Sequence, residues 1–361
     1  MKILYLTNDI SVLGGIEKIL LTKAEYFSKN FKYDVTILTQ NNRKNYFFSS
    51  DVEKKSFKVI SFNKNLYTNF FLRQFQRIIY FFELYKLVLN ENYDLIISTG
   101  SIVDVFLPFL KNRVKIIKEI HTTKKIKINI FSFKYLYNII QEIWLKRYNK
   151  VIILTNEDKK NWKLENIKVI PNSLPFYPKE TSKCKNKKVI SVGRLEHEKG
   201  YDILIDVWKI ISEKYSDWVL EIYGEGSERE KLQKKINILG LEKTFLLKGA
   251  VKNIQEKYLE GSIYVMSSRF EGFGLVLIEA MGCGLPVVSF DAPCGPKDII
   301  ENNEDGFLVK FGNIEKMAEK IEELIIDEEK RKIFGKNARK NIQKFSQEEI
   351  MDQWKKLFEN L

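Results

Sequence analysis

Residues 268–285 read SRFEGFGLVLIEAMGCGL, and this stretch decides the fold. The run before it, IYVMSS, is short and apolar, as a buried strand is, while the residues from Gly274 onward form an apolar run of helical length. Glu271, Gly272 and Phe273 therefore fall in the turn between a strand and a helix. Glycines at 272 and 274 leave the backbone bare where amide N–H groups face outward, and a helix start concentrates unpaired donors and positive dipole at one point. A diphosphate or a sugar hydroxyl suits such a mouth. Glu271 can accept hydrogen bonds from sugar hydroxyls, and Glu279, seven intervening residues later and inside the helix, can reach a second diol such as a ribose.

Outward from this stretch, apolar strand-like runs alternate with helical ones. KILYLTND, DVTILTQ, KVISF, LIISTGS, KIIKEIH and VIILTN punctuate the first half, with helices expected over residues 14–31 and 66–90. After PNSLPFYP at 171–178, a proline-rich linker, the alternation restarts with VISVGRL, WVLEIYG, TFLLKGA, IYVMSS and PVVSFD. Two doubly wound α/β units with parallel sheets are expected, divided near Asn172. In the long first-half helix, Phe71, Phe75, Ile78, Phe82, Tyr85 and Leu89 recur at spacings of four and three, which predicts one apolar face turned to the core. The surplus aromatics Phe70, Tyr80 and Phe81 leave an interfacial role open.

A chain of 361 residues is long for one core, and its balance of 44% hydrophobic and 30% charged residues excludes a disordered protein. Cys184, Cys283 and Cys294 are odd in number and lack metal-ligand spacing, and KILYLT begins at residue 2 where a signal peptide would stand. A reducing cytoplasm is expected. Cys294, ahead of a helix start in APCGPKDII, is read as structural. The charge is uneven: residues 1–172 hold 29 Lys and Arg against 15 Asp and Glu, and residues 173–361 hold 31 against 32. Residues 111–150 carry eleven basic and two acidic side chains, interleaved with Ile126, Ile128, Ile130, Phe131, Phe133, Tyr135, Leu136 and Trp144. Basic and aromatic groups on one element suit an anionic membrane surface, so peripheral attachment to the inner face of the cytoplasmic membrane is expected.

The string E271-G-F-G-L-V-L-I-E279-A-M resembles the E-x7-E signature of family 4 retaining glycosyltransferases of the GT-B fold, including those that build bacterial surface polysaccharides. Further pieces agree in order: GG at Gly14 and Gly15, EIHTT around His121, VIPNS around Asn172, VGRLEHEKG at 192–200, and IYGEGSERE from Ile222. The resemblance covers essentially the whole chain, although residues 44–91 carry no motif. It implies two Rossmann-like domains facing across a cleft, with residues 1–172 holding the acceptor and 173–345 the donor. It also implies that the last helix, 346–361, returns to the first domain through Trp354, Leu357 and Phe358.

Arg194 and Lys199 follow a strand in GR-x4-KG form, and the resemblance gives them the task of neutralising the leaving nucleoside diphosphate. It places His121 beside the transferred sugar, and Gly14 and Gly15 at a nest of backbone donors after the first strand, on the acceptor side. Donor contacts are implied for Gly15, Asn172, Gly249, Val251, Glu271, Gly272, Phe273, Gly274, Leu275 and Glu279. His197, between two glutamates, is read as an exposed loop residue. No DxD motif and no GxGxxG motif is present, so neither a metal nor a cofactor is expected. The implied donor is a UDP-sugar in preference to a GDP-sugar, carrying a hexose or N-acetylhexosamine. The implied acceptor is a saccharide, lipid-linked, and the configuration is retained. A sugar-nucleotide epimerase or disaccharide-phosphate synthase of the same fold is the alternative. A basic nucleic-acid-binding protein fits the +13 charge but matches no recognised module.

Overall fold

A computed structural model of the protein describes residues 1–10, 15–41, 57–61, 70–124 and 140–361. The chain divides into two compact units. One comprises Met1–Leu154, Lys159–Pro171 and Ile350–Leu361, and the other comprises Thr155–Asp158 and Asn172–Glu349.

The first unit is built on seven strands, β1 (Lys2–Asp9), β2 (Asp34–Asn41), β3 (Lys58–Ser61), β4 (Leu95–Ser98), β5 (Lys115–Glu119), β6 (Lys150–Ile153) and β7 (Ile167–Val169). They lie in the order β3-β2-β1-β4-β5-β6-β7, and every pairing is parallel. Tyr5 stands opposite Ile37 on one side and Ile97 on the other. Strands so apolar are buried on both faces, as parallel sheets require. Leu4, Leu6, Ile96, Ile116, Val151 and Ile153 pack on one face with Tyr80, Leu84 and Val88 of the helix Phe70–Glu91.

That helix turns a different side to the core from the one its spacing predicts. Tyr80, Leu84 and Val88 are buried, with Gln76 one turn earlier, whereas Phe75 and Phe82 are 63% and 57% exposed and Ile78 and Leu89 also face outward. FFLRQFQRIIYFFELYKLVLNE is apolar nearly all round, so its periodicity cannot choose a face. The neighbouring strands choose it. The side chains of Phe70 and Phe71 lie outside the described residues.

The second unit holds β8 (Lys188–Val192), β9 (Val219–Tyr223), β10 (Phe245–Gly249), β11 (Ile263–Met266), β12 (Val287–Phe290) and β13 (Gly306–Val309), ordered β10-β9-β8-β11-β12-β13 and wholly parallel. In both sheets the first strand of the unit lies beside the fourth, which is the doubly wound order with its switch point between those two strands. The helix Leu275–Gly282 is buried from Leu277 onward, consistent with its apolar sequence. The region expected as one helical stretch over 314–344 is two helices, Ile314–Ile326 and Glu328–Asn341. Asp327 separates them by accepting a hydrogen bond from the backbone N–H of Lys330, a side-chain N-cap.

The last helix, Gln347–Glu359, buries Trp354, Leu357 and Phe358. Phe358 meets Phe27 edge-on at 5.4 Å, and the Lys23 ammonium sits 4.5 Å from the Trp354 ring.

Candidate active site

In the second unit the loops at the carboxyl edge of the sheet are laced to one another by backbone bonds. Gly193 N–H donates to the Tyr223 carbonyl, Leu195 N–H to that of Glu225, and Gly224 N–H to that of Gly249, which joins the loops after β8, β9 and β10. Arg269 N–H donates to the Glu198 carbonyl and Ser267 Oγ to that of Lys199, which joins the loops after β8 and β11. Glu271 N–H donates to the Pro293 carbonyl, drawing in the loop after β12. Gly200 shows why the lysine is followed by glycine. Its φ is +66°, and a Cβ there would lie 2.1 Å from the Ser267 carbonyl oxygen.

This lacing brings Lys199 and Glu271 together at the switch point between β8 and β11. Lys199 Nζ donates to Glu271 Oε1 at 2.7 Å, and Ser268 Oγ donates to the same oxygen at 2.6 Å. The glutamate is 8% exposed. The stem of Lys199 passes over Gly193, where a Cβ would touch it at 3.5 Å. Gly274, with φ +94°, precedes the helix Leu275–Gly282, whose first amides lack acceptors within the helix. Gly272 and Leu275 are half-buried beside it. Phe273 points its ring inward against Phe345, 5.5 Å away edge-on, so only its backbone is available to a ligand.

Glu279 is buried on the same helix and accepts a hydrogen bond from Tyr258 Oη at 3.1 Å. Arg194 stands apart from the pair: its side chain is 71% exposed and donates through Nη2 to Glu198 Oε1 at 2.9 Å. Asn172 is half-buried within the linker, where the main segment of the second unit begins, and makes no hydrogen bond to Lys199, Glu271 or Glu279. Gly249 ends β10 with φ +79°, and Val251 is exposed in the loop that follows.

Sequence reasoning missed three partners. Ser268 adjoins Glu271 in SSRFEG and was within reach of a local reading. Tyr258 lies 21 residues from Glu279, and Asp202 lies 67 from Arg269, whose guanidinium it grips through both oxygens at 2.8 and 2.7 Å. Nothing in linear spacing announces such pairs.

In the first unit His121 follows β5. Its side chain is 3% exposed, with Nε2 3.2 Å from Glu119 Oε2. Lys23 Nζ, from the helix Gly15–Asn30, donates to that same oxygen. Burial, aided by Lys23 and Lys118, lowers the imidazole pKa despite the opposing pull of Glu119. Burial alone would raise the Glu119 carboxyl, yet Lys23 and His121 bring it down to about 2. Burial lowers the Lys23 pKa against the attraction of Glu119. Gly15 opens the helix and is exposed, while Gly14 lies outside the described residues. Among the described residues no three His, Cys, Asp or Glu side chains are grouped to hold a metal ion.

Residues 176–341, which include every loop of this laced edge, match the family described as glycosyl transferases group 1. The chain is a glycosyltransferase of GT-B fold. An uncharacterized glycosyltransferase of Haemophilus influenzae is 28% identical over 370 residues, covering 98% of this chain and 99% of the relative. The amylovoran biosynthesis glycosyltransferase AmsD of Erwinia amylovora is 28% identical over 369 residues, covering 98% of each. The crystal structure of Anabaena HepE in complex with UDP and glucose superposes with a TM-score of 0.81 at 23% identity, covering both chains fully.

The glycosyltransferase buries its three cysteines as free thiols. Cys294 donates from its backbone to Glu157 Oε2 at 2.8 Å, with its sulfur 3.7 Å from Asp158 Oδ1, so it fastens a loop. His197 is exposed, and its carbonyl accepts from Arg269 at 2.7 Å. Among the described residues no helix is long and apolar enough to cross a membrane. Of the basic and aromatic stretch, Ile126, Ile128, Ile130, Phe131, Phe133, Tyr135 and Leu136 lie outside the described residues. Trp144 is half-buried, meeting Phe109 edge-on at 5.9 Å with Arg147 4.7 Å from its ring.

Proposed function

We propose that this glycosyltransferase moves a hexose or N-acetylhexosamine from a nucleotide diphosphate sugar to a saccharide acceptor, with retention and without a metal ion, in cell-surface polysaccharide synthesis. The observation that carries the reading is the Lys199–Glu271 pair at the switch point of the second unit, beside the start of the helix Leu275–Gly282. Without a donor, the carboxylate compensates the cation. A bound diphosphate takes over the lysine and the bare amides of the helix start, freeing Glu271 to accept from sugar hydroxyls. Arg194, exposed and paired with Glu198, can swing to the same phosphates. These fixed donors act where charge grows as the leaving diphosphate departs, which is the electrostatic task a metal performs in other transferases.

UDP is favoured over GDP because the similar HepE structure holds UDP. AmsD, by name, serves amylovoran biosynthesis, which supports a polysaccharide acceptor; a lipid-linked one fits the basic first unit. In this reading the first unit holds the acceptor and His121 stands near the transferred sugar.

Lys199→Ala and Glu271→Ala should each lower kcat about 10²- to 10³-fold, the cost of removing one preorganised electrostatic partner. Sugar transfer from a panel of UDP- and GDP-sugars, with thermal unfolding as a check on folding, measures this; full turnover by either variant refutes the site.

The first unit also presents Phe75, Phe82, Phe109 and Ile143 outward, with exposed Lys111, Arg113, Lys146 and Arg147 on its surface. We propose that this unit attaches peripherally to an anionic bilayer. Sedimentation with phosphatidylglycerol vesicles should show binding at low salt that weakens at high salt. No binding at low salt removes the claim.

A further inference from the structure

Two donors share one oxygen of Glu271, and they differ in kind. Lys199 Nζ reaches Oε1 at 2.7 Å from the loop after β8, and Ser268 Oγ reaches it at 2.6 Å from three residues earlier in the loop after β11. The lysine is a cation on a flexible stem, whereas the serine is neutral and 1% exposed. An anionic ligand therefore competes for the first and not for the second.

The hydroxyl is also the better anchored of the two. Its neighbours on both sides are tied to the loop that carries Lys199: Ser267 Oγ donates to the Lys199 carbonyl at 2.9 Å, and Arg269 N–H donates to the Glu198 carbonyl at 2.8 Å. Arg269 is held again through its guanidinium, which donates to the His197 carbonyl at 2.7 Å and spans both oxygens of Asp202. Glu271 is fixed at its own backbone, where its N–H donates to the Pro293 carbonyl at 3.2 Å. The contact from Ser268 to Glu271 thus joins two tethered points, while the Lys199 ammonium stands at the end of a long side chain.

A carboxylate oxygen has two lone pairs, and on Oε1 the lysine and the serine take both. A diphosphate that draws the lysine away vacates one and leaves the other occupied. We propose that Ser268 is a positioning residue that holds Glu271 in place through this exchange, so that a hydroxyl of the donor sugar takes the lone pair that Lys199 gives up. The proposal rests on the reading of Lys199 and Glu271 given above. Without the serine, the released carboxylate turns about its own side-chain bonds and meets the sugar in many orientations, a loss that falls on the sugar and spares the nucleotide.

Ser268→Ala tests this with probes that separate sugar from nucleotide. Across a panel of UDP- and GDP-sugars, the donor turned over fastest should lose kcat/KM about 10-fold, the scale of one hydrogen bond to a charged group. The Kd of the matching free diphosphate, UDP or GDP, should change less than ~3-fold. A general loosening of the loop weakens the diphosphate as well, because Lys199 and the helix start belong to the same laced edge. Ser268→Cys, similar in shape and a weaker donor, should fall between serine and alanine. In the Glu271→Ala background Ser268→Ala should cost nothing more, since the hydroxyl acts only through that carboxylate. Wild-type turnover by Ser268→Ala, with Glu271→Ala impaired, overturns the proposal and leaves the reading of the site standing. An equal weakening of the free diphosphate, or a full additional loss in the double variant, also overturns it and reduces the serine to a fastener of the loop. Full turnover by Glu271→Ala removes the reading of the site and the proposal with it.

Discussion

Glu271 is the residue on which the proposed chemistry and the local packing meet, because the oxygen that faces a sugar in that proposal already holds Lys199 and Ser268. It stood out in the sequence because the whole string from Ser268 to Leu285 resembles the E-x7-E signature, not because a glutamate beside two glycines is unusual by itself. Arg194 was equally readable as a cation at the edge of the sheet, yet its orientation was not, since the rotamer of an exposed arginine answers to Glu198 and solvent. Asp305 carried no motif at all, although its carboxyl is buried in the second unit, accepting from Glu301 N–H at 3.0 Å and Asn341 Nδ2 at 2.6 Å. Burial, opposed by these hydrogen bonds, pushes its pKa up to about 6. A carboxyl whose folded pKa is raised contributes most stability below its unfolded pKa, near 4, and loses that contribution as pH rises through about 6. Asp305→Asn should therefore flatten the pH dependence of stability between pH 4 and 6. Urea midpoints at several pH values measure the slope, and identical slopes in the two proteins would refute the assignment.

At the scale of elements, the strands and their order followed from apolar runs and turn chemistry, and the doubly wound pattern needed nothing more. Faces were harder. The helix Phe70–Glu91 turns Tyr80, Leu84 and Val88 inward although another stripe has better spacing, because only the neighbouring strands distinguish one apolar side from another. The division of 314–344 at Asp327 was legible in principle, since Asp followed by two glutamates is an N-terminal signature. The loops after β8 and β11 act as one element, and Gly200 is their hinge pin. Gly200→Ala places an L-residue at positive φ, costing about 1–2 kcal/mol before any clash. The added methyl also meets the Ser267 carbonyl, so the loops must separate. A fall in Tm of at least ~4 °C and a drop in kcat/KM of at least ~10-fold are expected. An alanine variant with wild-type Tm and turnover would show that the contact between these loops is dispensable.

Over the whole molecule, two parallel sheets share one winding, and the second carries the residues that the motifs singled out. The first carries its charges inside, where Lys23, Glu119 and His121 depend on packing from distant parts of the chain. No sequence window contains that arrangement. Trp354 is central to it, being 1% exposed and seated over the Lys23 ammonium. Trp354→Ala should destabilise the protein by about 3–5 kcal/mol, as large-to-small changes in a core do. Urea unfolding measures the loss, and a change below ~1 kcal/mol would show that the helix is dispensable to the core. Because the first unit draws on Ile350–Leu361, it cannot be completed in the order in which the chain is made. While the ribosome is still adding the second sheet, Phe27 lacks Phe358 and Lys23 lacks the indole that shields it. The nascent N-terminal half must wait, partly uncovered, for Ile350–Leu361 to emerge, and a fragment ending at Pro171 should persist in that unfinished state.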